Sequence, residues 1–254
     1  MENNFFSNLR KFIETNEVQN YKLLNVKMDG IQYDSSNLND NYVQLDTYNE
    51  IVLQEETHLE LGGVTKTSFS LIYPTSKLEL IQNGKIHIFG PDISEIKESI
   101  IDFGIFILIG VEGDSDEMYS QLKSLNFISN SIKGFQIRTI PRRFWCRINN
   151  ELIASGFNLG LLGNAIIHLY KVKFKNLVKA IEILIISNNN SLINEFIHLS
   201  SAIQEEFRQK FRKKVEEWAK RVDCDYDWGC DICPYQEECY SIKQTLIKRE
   251  ELEF

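Results

Sequence analysis

A nine-residue apolar run, Phe103–Val111, constrains the fold of this chain more than any other segment. It is far too short to cross a membrane and has no polar side, which is typical of a strand buried on both faces of a parallel or mixed sheet. Further strands are predicted at residues 68–73, ended by Pro74, and at residues 85–89, 144–148 and 181–186. The sequence therefore predicts a sheet that other elements must cover on both faces.

Helical patterns supply that cover. Residues 1–18 and 191–221 carry apolar side chains at every third or fourth position, which predicts a short and a long amphipathic helix. A helix over Leu159–Lys173 lies between two predicted strands, which gives the strand–helix–strand order of a βαβ unit. Asp92 and Ser94 are N-cap candidates for a further short helix that ends near residue 100.

These elements define the predicted organisation of the chain. The fold class is α/β, a mixed or parallel sheet with flanking helices, in which one long C-terminal helix leads into a cysteine-rich metal-binding tail. We expect an N-terminal helix and strand segment over residues 1–50, an α/β domain over residues 51–221 and the tail over residues 222–254. The pair Gly62 and Gly63 predicts a tight turn ahead of the strand at residue 68.

The charge and the apolar content exclude several classes of partner. A formal net charge of -8 argues against binding to nucleic acid or to an anionic membrane surface, because both need a basic face. The N-terminus lacks the basic start and apolar run of a signal peptide, and we see no apolar stretch long enough to span a bilayer. We therefore expect a cytoplasmic protein.

Four of the five cysteines lie close together near the C-terminus. Cys224, Cys230, Cys233 and Cys239 have the spacing C-x5-C-x2-C-x5-C, whereas Cys146 stands alone. A C-x2-C pair places two thiolates on one side of a turn, and two further cysteines complete a four-thiolate shell. Because structural zinc sites usually combine two C-x2-C pairs, we expect a 4Fe-4S cluster, with zinc and metal-free cysteines as the alternatives.

Several residue strings resemble a known family. They are His-Leu-Glu-Leu-Gly-Gly at residues 58–63, Gly-Lys-Ile-His-Ile-Phe-Gly-Pro-Asp-Ile at residues 84–93, and Phe-Trp-Cys-Arg-Ile at residues 144–148. In this order they resemble the middle domain of the acetyl-CoA synthase (beta) subunit of the CO dehydrogenase/acetyl-CoA synthase complex. The resemblance covers about residues 50–220 and implies an α/β domain, in a truncated relative, that serves anaerobic one-carbon or corrinoid metabolism.

The resemblance also implies a ligand. The family's middle domain is thought to contribute arginine and tryptophan side chains to coenzyme A binding, and the candidates here are Arg142, Arg143 and Trp145, with Arg147 beside them. Guanidinium groups can hold phosphate, and an indole can stack on adenine. The alternative is a basic strand start with the tryptophan in the core.

The family's catalytic site uses a Cys-Gly-Cys element, and this chain contains no Cys-x-Cys at all. We therefore expect the fold to be shared and the catalysis not to be. The leading hypothesis is an iron–sulfur protein that transfers electrons to, or docks, a redox or corrinoid/one-carbon partner. The alternatives are an enzyme acting on a coenzyme A thioester or small ligand, and a zinc-stabilised regulatory protein, so enzymatic activity stays open.

Overall fold

The computed structural model describes residues 2–16, 19–22, 26–27, 30–31, 51–113, 122, 131–140, 143–174 and 177–222. Its helices are α1 (Glu2–Thr15), α2 (Asn150–Ala154), α3 (Leu159–Lys173) and α4 (Asn190–Val222). Its strands are β1 (Gln19–Lys22), β2 (Val26–Lys27), β3 (Gly30–Ile31), β4 (Thr57–Gly62), β5 (Ser68–Thr75), β6 (Lys85–Phe89), β7 (Ile100–Ile101), β8 (Phe103–Val111), β9 (Phe135–Ile140), β10 (Arg143–Asn149) and β11 (Val178–Ser187). The chain divides into two compact units, residues 2–199 and residues 200–254 with Met1.

The larger sheet has five strands in the order β1-β6-β11-β8-β5. Strands β6 and β11 run parallel, as do β8 and β5, whereas β11 and β8 are antiparallel. All nine residues of Phe103–Val111 are buried, and this strand has a partner on each side. The prediction of a strand covered on both faces is therefore confirmed.

The smaller sheet has four strands in the order β7-β4-β10-β9, and β2 pairs with β3 in a separate two-stranded ribbon. The two larger sheets and α3 enclose one contiguous buried cluster, which we call the main core. Phe103 of β8 and Phe144 of β10 meet there with ring centres 5.3 Å apart. Gly163 of α3 lies so close to β6 that a Cβ atom would come within 2.8 Å of Ile86.

The opposite face of the five-stranded sheet, which we call the α1 face, is covered by α1 and by the start of α4. Phe12 of α1 lies 5.5 Å from Phe89 and 5.7 Å from Phe196, measured between ring centres. Phe69 of β5 stacks on Phe196 at 4.8 Å. The coarse architecture is thus mixed α/β, with two mixed sheets and flanking helices.

Three local predictions are wrong. Strand β5 continues through Pro74 to Thr75, because it is an edge strand, where a proline can turn its ring nitrogen away from the ladder. Asp92 caps only one 3-10 turn, Ile93–Glu95, and a short strand follows instead of a helix. The expected βαβ unit does not close in one sheet, because β10 and β11 belong to different sheets.

The long helices are confirmed: α1, α3 and α4 lie within about three residues of the predicted bounds. In the described part of the chain, no helix combines the length and the apolar character needed to cross a bilayer. The predicted tail, residues 222–254, lies outside the described residues apart from Val222. The domain boundaries therefore stay predictions.

Candidate functional site

The strand that carries the predicted coenzyme A residues has two different faces. Phe144, Cys146 and Ile148 of β10 are buried in the main core, whereas Trp145 and Arg147 are only half-buried on the other side. This alternation follows from the two-residue period of a strand. The half-buried pair therefore belongs to the outer face of the four-stranded sheet.

One carboxylate binds both of these side chains. Glu60 lies on β4 directly opposite Arg147; its Oε1 accepts a hydrogen bond from Arg147 Nε at 2.9 Å, and its Oε2 accepts one from Trp145 Nε1 at 3.1 Å. The Arg147 guanidinium also lies over the indole, with Cζ 4.8 Å from the ring centre, which is a cation–π contact. The three side chains thus form one polar cluster, the Glu60 cluster.

The segment around Val52, which precedes β4, packs against the Glu60 cluster. Arg147 Nη1 donates to the backbone oxygen of Val52 at 3.3 Å, and the backbone nitrogen of Val52 donates to Gln136 Oε1 at 3.2 Å. Val52 itself is only 1% exposed. The guanidinium therefore has two protein acceptors, in Glu60 and Val52, before any ligand is considered.

Gly62 and Gly63, which follow Glu60 and Leu61, are required because residues of β10 lie close to them. Gly62 has φ +74, and a Cβ atom there would lie 2.3 Å from the backbone oxygen of Phe144. Gly63 has φ +111, and its Cβ atom would lie 3.2 Å from Trp145 Cδ1. The Glu-Leu-Gly-Gly string and the Phe-Trp-Cys-Arg string thus specify one piece of packing between β4 and β10.

The Gly-Pro-Asp-Ile string has a comparable role at the end of β6. Asp92 Oδ1 accepts hydrogen bonds from the backbone nitrogens of Ile93 at 2.7 Å and Leu159 at 2.9 Å. Glu95 completes a capping box by accepting from the backbone nitrogen of Asp92 at 2.9 Å. A carboxylate at this point also interacts favourably with the N-terminus of α3. The Gly-Pro-Asp-Ile string therefore links the end of β6 to the start of α3.

The structure describes the three predicted coenzyme A residues to different extents. Trp145 is half-buried, with its N–H on Glu60 and one ring face against Arg147. Arg142 lies outside the described residues, and only the backbone of Arg143 is described, in β10 opposite Ile140. The coenzyme A site stays a prediction.

The four tail cysteines, Cys224, Cys230, Cys233 and Cys239, also lie outside the described residues. Cys146 is described, and it is 1% exposed in the main core. Burial, together with the nearby Glu60 carboxylate, raises the pKa of the Cys146 thiol well above its ordinary value. The expected metal site therefore stays a prediction that concerns the tail alone.

Sequence reasoning missed a buried ionic cluster on the α1 face, which we call the Glu182 cluster. Glu182 of β11 has a side chain only 4% exposed; it binds Arg10 of α1 through both carboxylate oxygens, with Nη2 to Oε2 at 2.8 Å. His87 Nε2 lies 3.0 Å from Oε1, and the backbone nitrogen of Gln82 donates to Oε2 at 2.7 Å. Arg10 Nη2 also donates to the backbone oxygen of Leu80.

The acid of this cluster stays charged in the folded protein. Burial alone would raise the pKa of Glu182, but the hydrogen bonds from Arg10 and His87 outweigh burial and lower that pKa. One sequence signal could have revealed the cluster, because a lone glutamate stands within an apolar strand and a buried charge requires partners. Its partners, 172 and 95 residues away, have no local signature.

Comparison with known proteins supports the resemblance found in the sequence. Residues 46–192, more than half of the chain, match the family described as the CO dehydrogenase/acetyl-CoA synthase complex beta subunit. The acetyl-CoA decarbonylase/synthase complex subunit beta of Methanopyrus kandleri is 25% identical over 189 residues, which cover 72% of this chain and 38% of that protein.

Two further relatives give the same result. The carbon monoxide dehydrogenase/acetyl-CoA synthase subunit alpha of Moorella thermoacetica is 24% identical over 188 residues, 72% of this chain and 25% of its own length. The acetyl-CoA decarbonylase/synthase complex subunit beta 1 of Methanocaldococcus jannaschii is 25% identical over 189 residues, 72% of this chain and 23% of its own. The matched stretch thus spans well under half of each relative. From residue 46 to residue 192, this chain belongs to the CO dehydrogenase/acetyl-CoA synthase complex beta subunit family.

Proposed function

We propose that this chain is an iron–sulfur protein related to acetyl-CoA synthase, which docks or transfers electrons to a redox or corrinoid protein of one-carbon metabolism. The observation that carries the proposal is the C-x5-C-x2-C-x5-C spacing of the tail, which follows the family domain. Four thiolates from one short segment fit a single 4Fe-4S cluster, and the cluster would supply one-electron chemistry.

The donor set of the tail is the only support for the metal. Within the described residues, no group of three or more His, Cys, Asp or Glu side chains could hold a metal ion. Cys224, Cys230, Cys233 and Cys239 would be the ligands, with zinc as the alternative occupant. The chain has no Cys-x-Cys, so we do not extend the synthase reaction itself to it.

The charge around these cysteines suggests the direction of electron flow. Six acidic residues lie close to them in sequence, namely Asp223, Asp225, Asp227, Asp231, Glu237 and Glu238. Negative charge disfavours the addition of an electron, so the cluster would have a low reduction potential and would act as an electron donor.

Metal analysis of protein purified without oxygen tests the proposal. We expect about four irons and four sulfides per chain, with broad absorption near about 400 nm that is lost on Cys233→Ser. Cys146→Ala is the matched control and should keep its metal, because that thiol is buried in the main core. One zinc and no iron would favour the regulatory alternative, and a metal-free chain after reconstitution would refute both.

A coenzyme A site at Arg142, Arg143 and Trp145 is the second proposal, because the half-buried indole keeps part of its surface accessible. Titration calorimetry with coenzyme A should then show heat that Trp145→Ala removes. Val64→Ala, which changes an exposed residue near Gly63, should bind normally. No heat with the unaltered chain would exclude this site and the thioester enzyme.

A further inference from the structure

Among the described residues, the five-stranded sheet separates two buried apolar layers. The main core lies between the two sheets and α3, and among the described residues it includes none from α1. The second layer lies on the α1 face, where Phe5, Phe6, Leu9 and Phe12 are each at most 6% exposed. Helix α1 therefore packs on a buried layer that is distinct from the main core.

The α1 face has the chemistry of a groove for an amphipathic helix. Phe5 meets Phe106 with ring centres 5.9 Å apart and Tyr73 at 6.0 Å, and Phe6 meets Tyr73 at 5.8 Å. At the other end of α1, Phe12 contacts Phe89 at 5.5 Å. Without the helix, the sheet residues Tyr73, Phe89 and Phe106 would lose these contacts and contribute to an exposed apolar surface.

The Glu182 cluster adds specificity to this groove. A buried carboxylate inside an apolar surface strongly disfavours any occupant that lacks a cation at the right position. Arg10 supplies that cation and binds both oxygens of Glu182, while its other contact is the backbone oxygen of Leu80. The groove thus accepts an aromatic stripe together with one arginine, which fixes the position of the helix along the sheet.

Helix α1 lies outside the part of the chain that matches the family. Only three residues lie between α1 and β1, and the family match starts at residue 46, after both elements. We propose that the α1 face is a helix-docking site, that α1 is its tethered ligand, and that a second copy of this chain can supply the same helix in trans.

A nicked full-length chain tests this proposal. A protease recognition sequence is inserted between Glu17 and Val18, the purified chain is cleaved, and a labelled peptide of residues 2–16 is added. We expect the peptide to exchange with the resident helix and to saturate at one per chain. No uptake at peptide concentrations up to about 100-fold over the chain would overturn the proposal.

Two variant peptides test the role of the ionic cluster. Arg10→Met leaves the Glu182 carboxylate without its cation, and it should weaken competition at least about tenfold. Lys11→Met is the matched control, since Lys11 is exposed, and it should compete like the unaltered peptide. Equal competition by all three peptides would show that the groove does not select its arginine.

Hydrogen exchange of the uncleaved chain provides an independent measurement. In the Arg10→Met chain, amides of α1 should exchange faster, while amides of β4 and β10 keep their protection because they belong to the other sheet. Loss of protection in β4 and β10 to the same extent would mean that α1 is not a separable unit, which would refute the proposal even if the nicked chain failed to fold.

Discussion

Gly62 and Gly113 both have positive φ angles, +74 and +106, but their surroundings differ. A Cβ atom at Gly62 would lie 2.3 Å from the backbone oxygen of Phe144, whereas no atom of the described residues lies within 4 Å of one at Gly113. Replacing each of these glycines by alanine should therefore separate the energetic cost of backbone strain from that of a steric clash.

We expect Gly113→Ala to cost about 1 kcal/mol of unfolding free energy, from left-handed backbone strain alone. Gly62→Ala should cost at least about 3 kcal/mol, because β4 and β10 must also move apart. Urea unfolding followed by circular dichroism measures both values. Equal losses would mean that the packing of β4 on β10 adjusts without cost.

Cys146 should be chemically inert in the native chain. Its thiol is 1% exposed, and burial raises its pKa, so very little reactive thiolate is present. Treatment with iodoacetamide at pH 8 followed by peptide mapping should leave Cys146 unmodified until urea is added. Alkylation at the rate of a free thiol would show that the main core opens there.

At the scale of elements, the spacing of apolar residues predicted those helices and strands whose burial pattern is carried by their own sequence. The run Phe103–Val111 and the helices α1, α3 and α4 were found because each carries its burial pattern within its own sequence. The division into two sheets was missed, because strand pairing is set by distant segments and by the Gly62-Gly63 turn that leads from one sheet to the other.

The Glu182 cluster predicts how α1 docking depends on pH. Arg10, His87 and the backbone nitrogen of Gln82 face this carboxylate, and its pKa is lowered in the folded state. Its contribution is therefore present above the unfolded-state pKa, about 4.3, and is lost as pH falls through the folded value. We expect stability to fall below about pH 5, less steeply in Glu182→Gln than in the unaltered chain.

The same variant has an expected cost at neutral pH. Glu182→Gln keeps the shape but loses the charge, and it should lose about 1.5–3 kcal/mol at pH 7. Glu195→Gln, which changes an exposed acid on α4, should lose little. Urea unfolding of the three chains between pH 7 and pH 3.5 provides the comparison. Parallel curves for all three would mean that Glu182 does not titrate with folding.

At the scale of the whole molecule, the buried core and the proposed metal ligands lie in different parts of the chain. The main core falls within residues 2–199, whereas the cysteines belong to the second unit, residues 200–254. Sequence predicted both parts; the structure describes the main core, whereas the four cysteines lie outside the described residues. Spacing alone cannot fix a cluster, because iron and zinc accept the same thiolates.

This separation leads to a prediction for the tail. Cys230→Ser and Cys233→Ser should each remove the metal while the unit of residues 2–199 keeps a cooperative melting transition, because the main core lies upstream of the tail in sequence. Metal content and calorimetric melting of the same samples provide the test. A variant that loses its metal and no longer melts cooperatively would show that the tail is required for the fold of the first unit.

The residues that cover α1 are translated long after α1 itself. Helix α1 is translated before the residues it packs against, because the partner of Arg10 is 172 residues downstream and Phe196 comes later still. Its aromatic stripe must therefore wait in the growing chain until β11 and the first turns of α4 emerge. A nascent polypeptide of this protein should accordingly need shielding by a chaperone until the start of α4 has been translated.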